Sequence, residues 1–255
     1  MHTSDATAKQ SDASASSGST ATKTILAKLG IDRSLFWTIL VIVLLRTMVV
    51  GHFVIPSGSM LPTLKLGDHV VVNELAYGLH LPLMKRNLFN WAEPVRGEII
   101  VFPHPAEGTT LIKRVIGVAG DEIRYDTGRL VVNDQPVDEQ LVQDPGNVLA
   151  DLGEDIGPFT LYRETLPGGH KHWVLRGATE GFTYRDQRRW KVPEGHVFVS
   201  GDNRDNSVDS RFWGFVPVEA IYGPALFLSY STIPNSGLLP RLRVDRFFAK
   251  LDQVP

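Results

Sequence analysis

Cysteine is absent from the 255 residues. That excludes disulfides, thiol nucleophiles and cysteine-ligated metals, and it leaves the redox compartment open. Excess charge of one sign is absent too. The formal net charge is −2, so nucleic acid has no electrostatic claim as a partner. No internal repeat is visible, and no G-x-S-x-G nucleophile elbow occurs. The opening MHTSDATAKQSDASASSGSTAT has almost nothing to bury. Its composition predicts a disordered tail, which we extend to residues 1–33.

One long apolar run is present. LFWTILVIVLLRTMVVGHFVI, at 35–55, has the length of one membrane crossing and predicts a transmembrane helix over 34–55. Arg46 and His52 interrupt it. Arginine at a helix centre costs roughly 2.5–3.5 kcal/mol on an insertion scale, and the apolar residues return roughly 3–6 kcal/mol. The balance is favourable if Arg46 snorkels towards the far face. A buried core helix is the other reading. A cleaved leader fits less well, because the leading region is long and no A-x-A-like site follows. Lys23, Lys28 and Arg33 precede the run and only Lys65 follows it closely. The bias predicts a cytoplasmic N-terminus and an extracytoplasmic soluble part.

The rest reads as β structure. The runs at 68–77, 97–102, 109–120, 129–133, 196–202 and 225–231 are β-rich and bounded by turn residues. They predict a mainly β barrel or sandwich with little further helix. We assign the β core to 56–121 and 194–235. The stretch 122–193, with QDPGN, LPGGHKH and EGFTYRDQRRW, reads as an inserted β-rich subdomain. The end, 236–255, mixes arginines with aromatics in LLPRLRVDRFFAK. It reads either as a segment on lipid head groups or as a solvated tail.

VIPSGSMLPTLKLGD, at 54–68, raises a chemical question. Ser57 and Ser59 flank a glycine between two prolines, and serine needs a base to become a nucleophile. None of His52, His69, His104 and His196 stands in a triad context. Lysine serves as a base only when burial lowers its pKa from about 10.4. A basic lysine therefore belongs in an apolar strand, and Lys113 in LIKRVIGV is the one that fits. Its neighbour Arg114 cannot be deprotonated. Spacing alone reads Lys113 equally as an edge-strand lysine reaching solvent, while Lys65 in LKLGD reads as solvated. A third stretch, SGDNRDNSVDSRFWG at 200–214, fails the calcium-loop spacing, because no glycine or distal glutamate falls where required. It reads as an Asx-rich surface loop or as support for the lysine. In the second reading Ser207 orients the amine, and Asp209 pairs with Arg211 or Arg204.

Together these stretches resemble bacterial type I signal peptidases, which are membrane-anchored serine proteases with a Ser/Lys dyad. The matching segments are PSGSMLPTL, DHVVVNELAYG, RGEIIVFPHP, LIKRVIGVAGD and GDNRDNSVDSRFWGFVP, in the family's order and after an apolar run. The resemblance implies Ser59 as nucleophile and Lys113 as general base. It implies an oxyanion site made by the Ser57 hydroxyl and the Ser59 N–H. It implies that Ser207 hydrogen-bonds the amine and that Asp209 and Arg211 form a supporting pair. Phe53, Ile55, Met60, Leu64, Val70 and Ile112 would lie at the nucleophile or line pockets for small substrate side chains. The implied activity is removal of signal peptides from exported preproteins after an A-x-A site, at the bacterial cytoplasmic membrane and without metal or cofactor. Nothing in the sequence specifies contact with a secretion machinery. Leu111 stands where the family often has tyrosine, and the family's cysteine pair and second span are missing. Two other readings compete: a cytosolic Ser/Lys autoprotease of the repressor type, and a non-catalytic anchored β domain. The apolar run and the lack of a DNA-reading module oppose the first, and the presence of both dyad residues opposes the second.

Overall fold

The computed structural model describes residues 32–79, 88–126, 128–146, 148, 152, 159–177, 188–234 and 241–251. The expected tail lies almost wholly outside them. The chain divides into two compact units, residues 1–47 and 48–255. One helix, α1 (Arg33–Val49), covers the apolar run, and a single turn, α2 (Ser210–Trp213), comes late. The strands are β1 (Val50–Val54), β2 (Asp68–Asn73), β3 (Ile99–Pro103), β4 (Thr110–Gly117), β5 (Glu122–Asp126), β6 (Arg129–Val132), β7 (Gln135–Pro136) and β8 (Asp138–Leu141). They continue as β9 (Phe159–Thr165), β10 (Lys171–Gly177), β11 (Arg189–Lys191), β12 (His196–Ser200), β13 (Val216–Pro217), β14 (Gly223–Ile233) and β15 (Arg241–Leu242).

The expected helix over 34–55 is corrected at its C-terminal end. α1 stops at Val49 and residues 50–54 form β1, which pairs antiparallel with β2 from Val50↔Asn73 to Val54↔His69. β-branched Val49 and Val50 followed by Gly51 favour this switch, and the β2 edge satisfies the backbone groups that leave the helix. The 17 residues of α1 rise about 25 Å, against about 30 Å of hydrocarbon in a bilayer. No helix among the described residues is long and apolar enough to cross a membrane.

The mainly β expectation holds. The largest sheet runs in the order β1-β2-β14-β3-β4-β12-β13, with β15 on β14. Residues 122–191 make two smaller sheets, β11-β5-β6-β7 and β10-β9-β8. β2 alternates buried with half-buried residues, as a strand with one wet face does. β4 is buried from Ile112 to Gly117 and lies between β3 and β12. Its lysine is 3% exposed, which removes the alternative of a side chain reaching solvent.

Three buried arginine–carboxylate pairs tie distant segments together. Arg114 on β4 grips Asp202, after β12, with Nε at 2.8 Å and Nη2 at 2.7 Å. Arg204 grips Glu164 on β9 with two contacts of 2.7 Å. Arg246 reaches Asp68 at the head of β2, with Nη2 at 2.6 Å. The last pair corrects the expectation of a solvated C-terminal tail. Arg246 is buried, and Arg243 donates to the Leu66 and Thr232 carbonyls, so two of its arginines serve the fold. A buried charge that loses its partner costs about 3–5 kcal/mol. Arg114→Met, which strands Asp202, should lower stability by that amount. A denaturation midpoint equal to that of the unaltered chain would refute the assignment.

Candidate active site

The chain leaves β1 as an extended segment and enters a 3-10 turn, Gly58–Met60. Extended Ser57, with φ −137° and ψ 159°, precedes the turn, and Ser59 lies within it. Met60 and Leu64 are buried and anchor the turn in an apolar cluster with Ile55, Val70 and Ile112, against which Phe53 packs. The structure thus brings together every residue expected near the substrate pockets. A cavity of about 600 Å³ lies elsewhere, with Glu98, Arg114, His170, Phe227 and Leu251 in its wall, and includes neither Ser59 nor Lys113.

Lys113 reaches the turn from β4. Its Nζ lies 2.6 Å from Ser59 Oγ and donates to the Ile112 carbonyl at 3.1 Å. The side chain is 3% exposed. Burial lowers the amine, Asp209 and Asp202 raise it and Arg211 lowers it, and the net effect takes it down to about 8. The two hydroxyls of Ser57 and Ser59 are 3.5 Å apart. Among the described residues the Ser59 hydroxyl bonds Lys113 and Ser57 and no histidine.

The Asp209–Arg211 pair is present. Arg211 Nε and Nη2 meet the two Asp209 oxygens at 2.7 and 2.8 Å. Asp209 also accepts from Ser200 Oγ, the Gly201 N–H and Ser207 Oγ, and it caps α2. Burial alone would raise this carboxyl, but Arg211 and these donors hold it below the usual carboxylate range. Arg204, the other partner considered for Asp209, bonds Glu164 instead. One expected contact differs. The Ser207 hydroxyl gives its hydrogen to Asp209 at 2.8 Å, while the recorded bonds of the amine go to Ser59 and the Ile112 carbonyl. A charged acceptor outcompetes a neutral amine for that proton.

Several residues that hold the site escaped the sequence reading. Thr63 donates to Asp202 at 2.6 Å and joins the serine segment to the Arg114 pair. Arg114 was legible in principle, since a permanent cation in an apolar strand demands a carboxylate. Gly201 and Asn203 gave no comparable signal, because their contacts are long-range. A Cβ on Gly201 would lie 2.4 Å from both the Ser59 carbonyl oxygen and Ser207 Oγ.

A serine hydroxyl within hydrogen-bond reach of a buried amine of lowered basicity is the working pair of a Ser/Lys hydrolase. Known proteins similar to the chain are signal peptidases. Residues 29–230 match the family described as signal peptidase, peptidase S26. A protein named Signal peptidase I from Pseudomonas aeruginosa is 39% identical over 223 residues, covering 80% of this chain and 75% of that protein. Its namesake from Pseudomonas fluorescens is 38% identical over 205 residues, 76% and 69% of the two chains. The one from Aquifex aeolicus is 34% identical over 226 residues, 77% and 82%. The chain belongs to the signal peptidase family, peptidase S26. A solved signal peptidase I from Enterococcus faecalis covers 52% of this chain and 97% of its own at 26% identity and a TM-score of 0.32.

Gly201→Ala should push the Ser59 carbonyl out of place while leaving the chain folded. A misplacement of about 1 Å costs about 10²-fold in turnover. Hydrolysis by this variant at the unaltered rate would show that the close approach is dispensable.

Proposed function

We propose that the protein is a serine endopeptidase that removes signal peptides from exported preproteins after an A-x-A site, with Ser59 as nucleophile and Lys113 as general base. The 2.6 Å contact between Ser59 Oγ and Lys113 Nζ carries the reading. Neutral Lys113 takes the Ser59 proton as Oγ attacks the carbonyl carbon of the last signal-peptide residue. The Ser57 hydroxyl and the Ser59 N–H hold the oxyanion. The tetrahedral species collapses to an acyl-enzyme as the C–N bond breaks. Lys113 hands its proton to the departing amine, then takes one from the water that hydrolyses the ester. Asp209 and Arg211 keep the loop beside the amine rigid, and Ser207 acts through Asp209. No metal or cofactor enters these steps.

Two features support substrate binding by strand addition. β12 pairs with β4 from Arg114 to Gly117, so the half of β4 before Arg114 pairs with β3 alone. β1, which leads into the serine turn, is an end strand of its sheet. An extended peptide adds to such edges through main-chain hydrogen bonds. The apolar cluster of Phe53, Ile55, Met60, Leu64, Val70 and Ile112 then limits the adjoining pockets to small side chains. In this reading residues 56–121 and 194–235 carry the catalysis and 122–193 are an insertion. α1 exposes Leu35, Trp37, Ile39 and Ile42. That apolar surface and the preceding lysines support association with the bacterial cytoplasmic membrane, N-terminus inside and active site outside.

Cleavage of a preprotein bearing an A-x-A site tests the assignment. In detergent or liposomes the unaltered chain should release a product whose new N-terminus follows the second alanine. Ser59→Ala and Lys113→Met, both folded, should lose roughly 10³-fold or more. Full activity in Lys113→Met would return the search to a histidine. The pH profile is a second test. The reactive amine is neutral, so kcat/KM should rise about tenfold per pH unit below about 8 and level off above it. A flat profile through that range would remove Lys113 as the base.

A further inference from the structure

The carbonyl groups on either side of Ser59 are both held by one residue that carries no part of the dyad. Asn203 follows Asp202 in the loop after β12 and is fully buried. Its side-chain Nδ2 donates to the Gly58 carbonyl at 3.1 Å, and its backbone N–H donates to the Ser59 carbonyl at 3.1 Å. The Gly58 carbonyl belongs to the same peptide unit as the Ser59 N–H. A planar trans peptide fixes these two groups antiparallel. The Gly58 oxygen also accepts from the Leu61 N–H at 3.2 Å, so Asn203 is its side-chain partner, and the two donors together fix the direction of the Ser59 N–H. A hydrogen bond to that oxygen also polarises the unit and strengthens the N–H as a donor. Among the described residues the Ser59 N–H itself donates to no group.

The other half of the amide makes the point sharper. Asn203 Oδ1 is buried and has no hydrogen-bond partner among the described residues. A buried unsatisfied oxygen costs stability, so asparagine is a poor choice for filling this space alone. Turning the amide over would set Oδ1 against the Gly58 oxygen, two acceptors face to face. The Nδ2 donor is the part of the side chain that the site uses.

We propose that Asn203 is a positioning residue of the oxyanion site. It aims and polarises the Ser59 N–H through the Gly58 carbonyl. The proposal rests on the reading of Ser59 as nucleophile with its own N–H as an oxyanion donor.

The test uses the full chain in detergent and compares Asn203→Ala and the isosteric Asn203→Asp with the unaltered protein. Two probes are needed: the A-x-A preprotein, and a peptide aldehyde ending in Ala-x-alaninal, which forms a hemiacetal with Ser59. The matching peptide alcohol reports binding without bond formation. Removing an oxyanion donor outright costs about 10²–10³-fold in kcat; misdirecting one should cost about 10- to 100-fold, with KM within about twofold. Aldehyde affinity should fall in step with kcat/KM, alcohol affinity should stay, and in Asn203→Ala, which adds no charge, the midpoint of the acid limb should not move. An unchanged kcat, a loss confined to KM, equal weakening of aldehyde and alcohol, or an acid limb shifted in Asn203→Ala would each overturn the proposal. Loss of cooperative unfolding in both variants would do so too, by assigning Asn203 to the fold. If Ser59→Ala still cleaves, or the aldehyde fails to inhibit the unaltered chain, the nucleophile assignment falls and takes the proposal with it. If the unaltered chain behaves as expected and the variants match it, the proposal alone falls.

Discussion

A lysine amine that gives up its proton at about pH 8 rather than 10.5 has to be kept dry, and it has to be kept from pairing with the carboxylates around it. The second condition is the harder one here. Asp202 and Asp209 both act on Lys113, and each raises its basicity. Either, if unpartnered, would draw a proton onto the amine and silence it as a base. Each is instead committed to an arginine by two contacts, Asp202 to Arg114 and Asp209 to Arg211. Arginine stays charged at any accessible pH, so these pairs do not relax as the lysine titrates. The negative charge beside the amine is spent inside the loop, and burial is left as the dominant influence.

The same loop fixes Ser59, the proposed nucleophile. From Ser200 to Arg211 most polar side chains make hydrogen bonds within the protein. Gly201 lets the Ser59 carbonyl approach, the Asp202 carboxylate accepts from Thr63, and the backbone of Asn203 holds the turn. The loop is braced in turn by the smaller sheet. Leu175 N–H donates to the Asp202 carbonyl at 2.9 Å, Gly177 N–H donates to Asp205, and Arg204 grips Glu164. Residues far along the chain therefore determine where a serine on a three-residue turn points. That is how a turn without the intrinsic rigidity of a helix can carry a nucleophile.

The proposed dyad drew notice in the sequence for a chemical reason, although spacing alone left Lys113 open to a solvated reading. A lysine inside an apolar strand is unusual enough to stand out, and only a deprotonatable cation suits a base. The strands around it were legible from β-branched runs bounded by turn residues. What escaped reading was set by partners far apart in the chain. Residues 50–54 looked like the tail of an apolar helix because valines serve either structure, and only the waiting edge of β2 decides. Arg246 looked like a surface cation because Asp68, its partner, lies 178 positions away. Ser207 was expected at the amine, but its hydroxyl is claimed by a carboxylate two residues on.

The arrangement carries an energetic cost that the fold has to absorb. Lowering Lys113 from 10.5 to about 8 corresponds to about 3 kcal/mol of preference for the neutral form, at about 1.4 kcal/mol per unit. Below about 8 the amine is charged in folded and unfolded chains alike, and the whole penalty bears on the fold. Between about 8 and 10.5 the unfolded chain binds the extra proton, so stability rises with pH and the penalty fades. The buried ion pairs do not obviously repay this, because desolvating an arginine and a carboxylate consumes much of their attraction. Their return is positional. Breaking any one leaves a buried charge alone, so the loop has few neighbouring states of similar energy. A base that must be both uncharged and within 2.6 Å of its serine needs that narrow choice more than it needs extra stability.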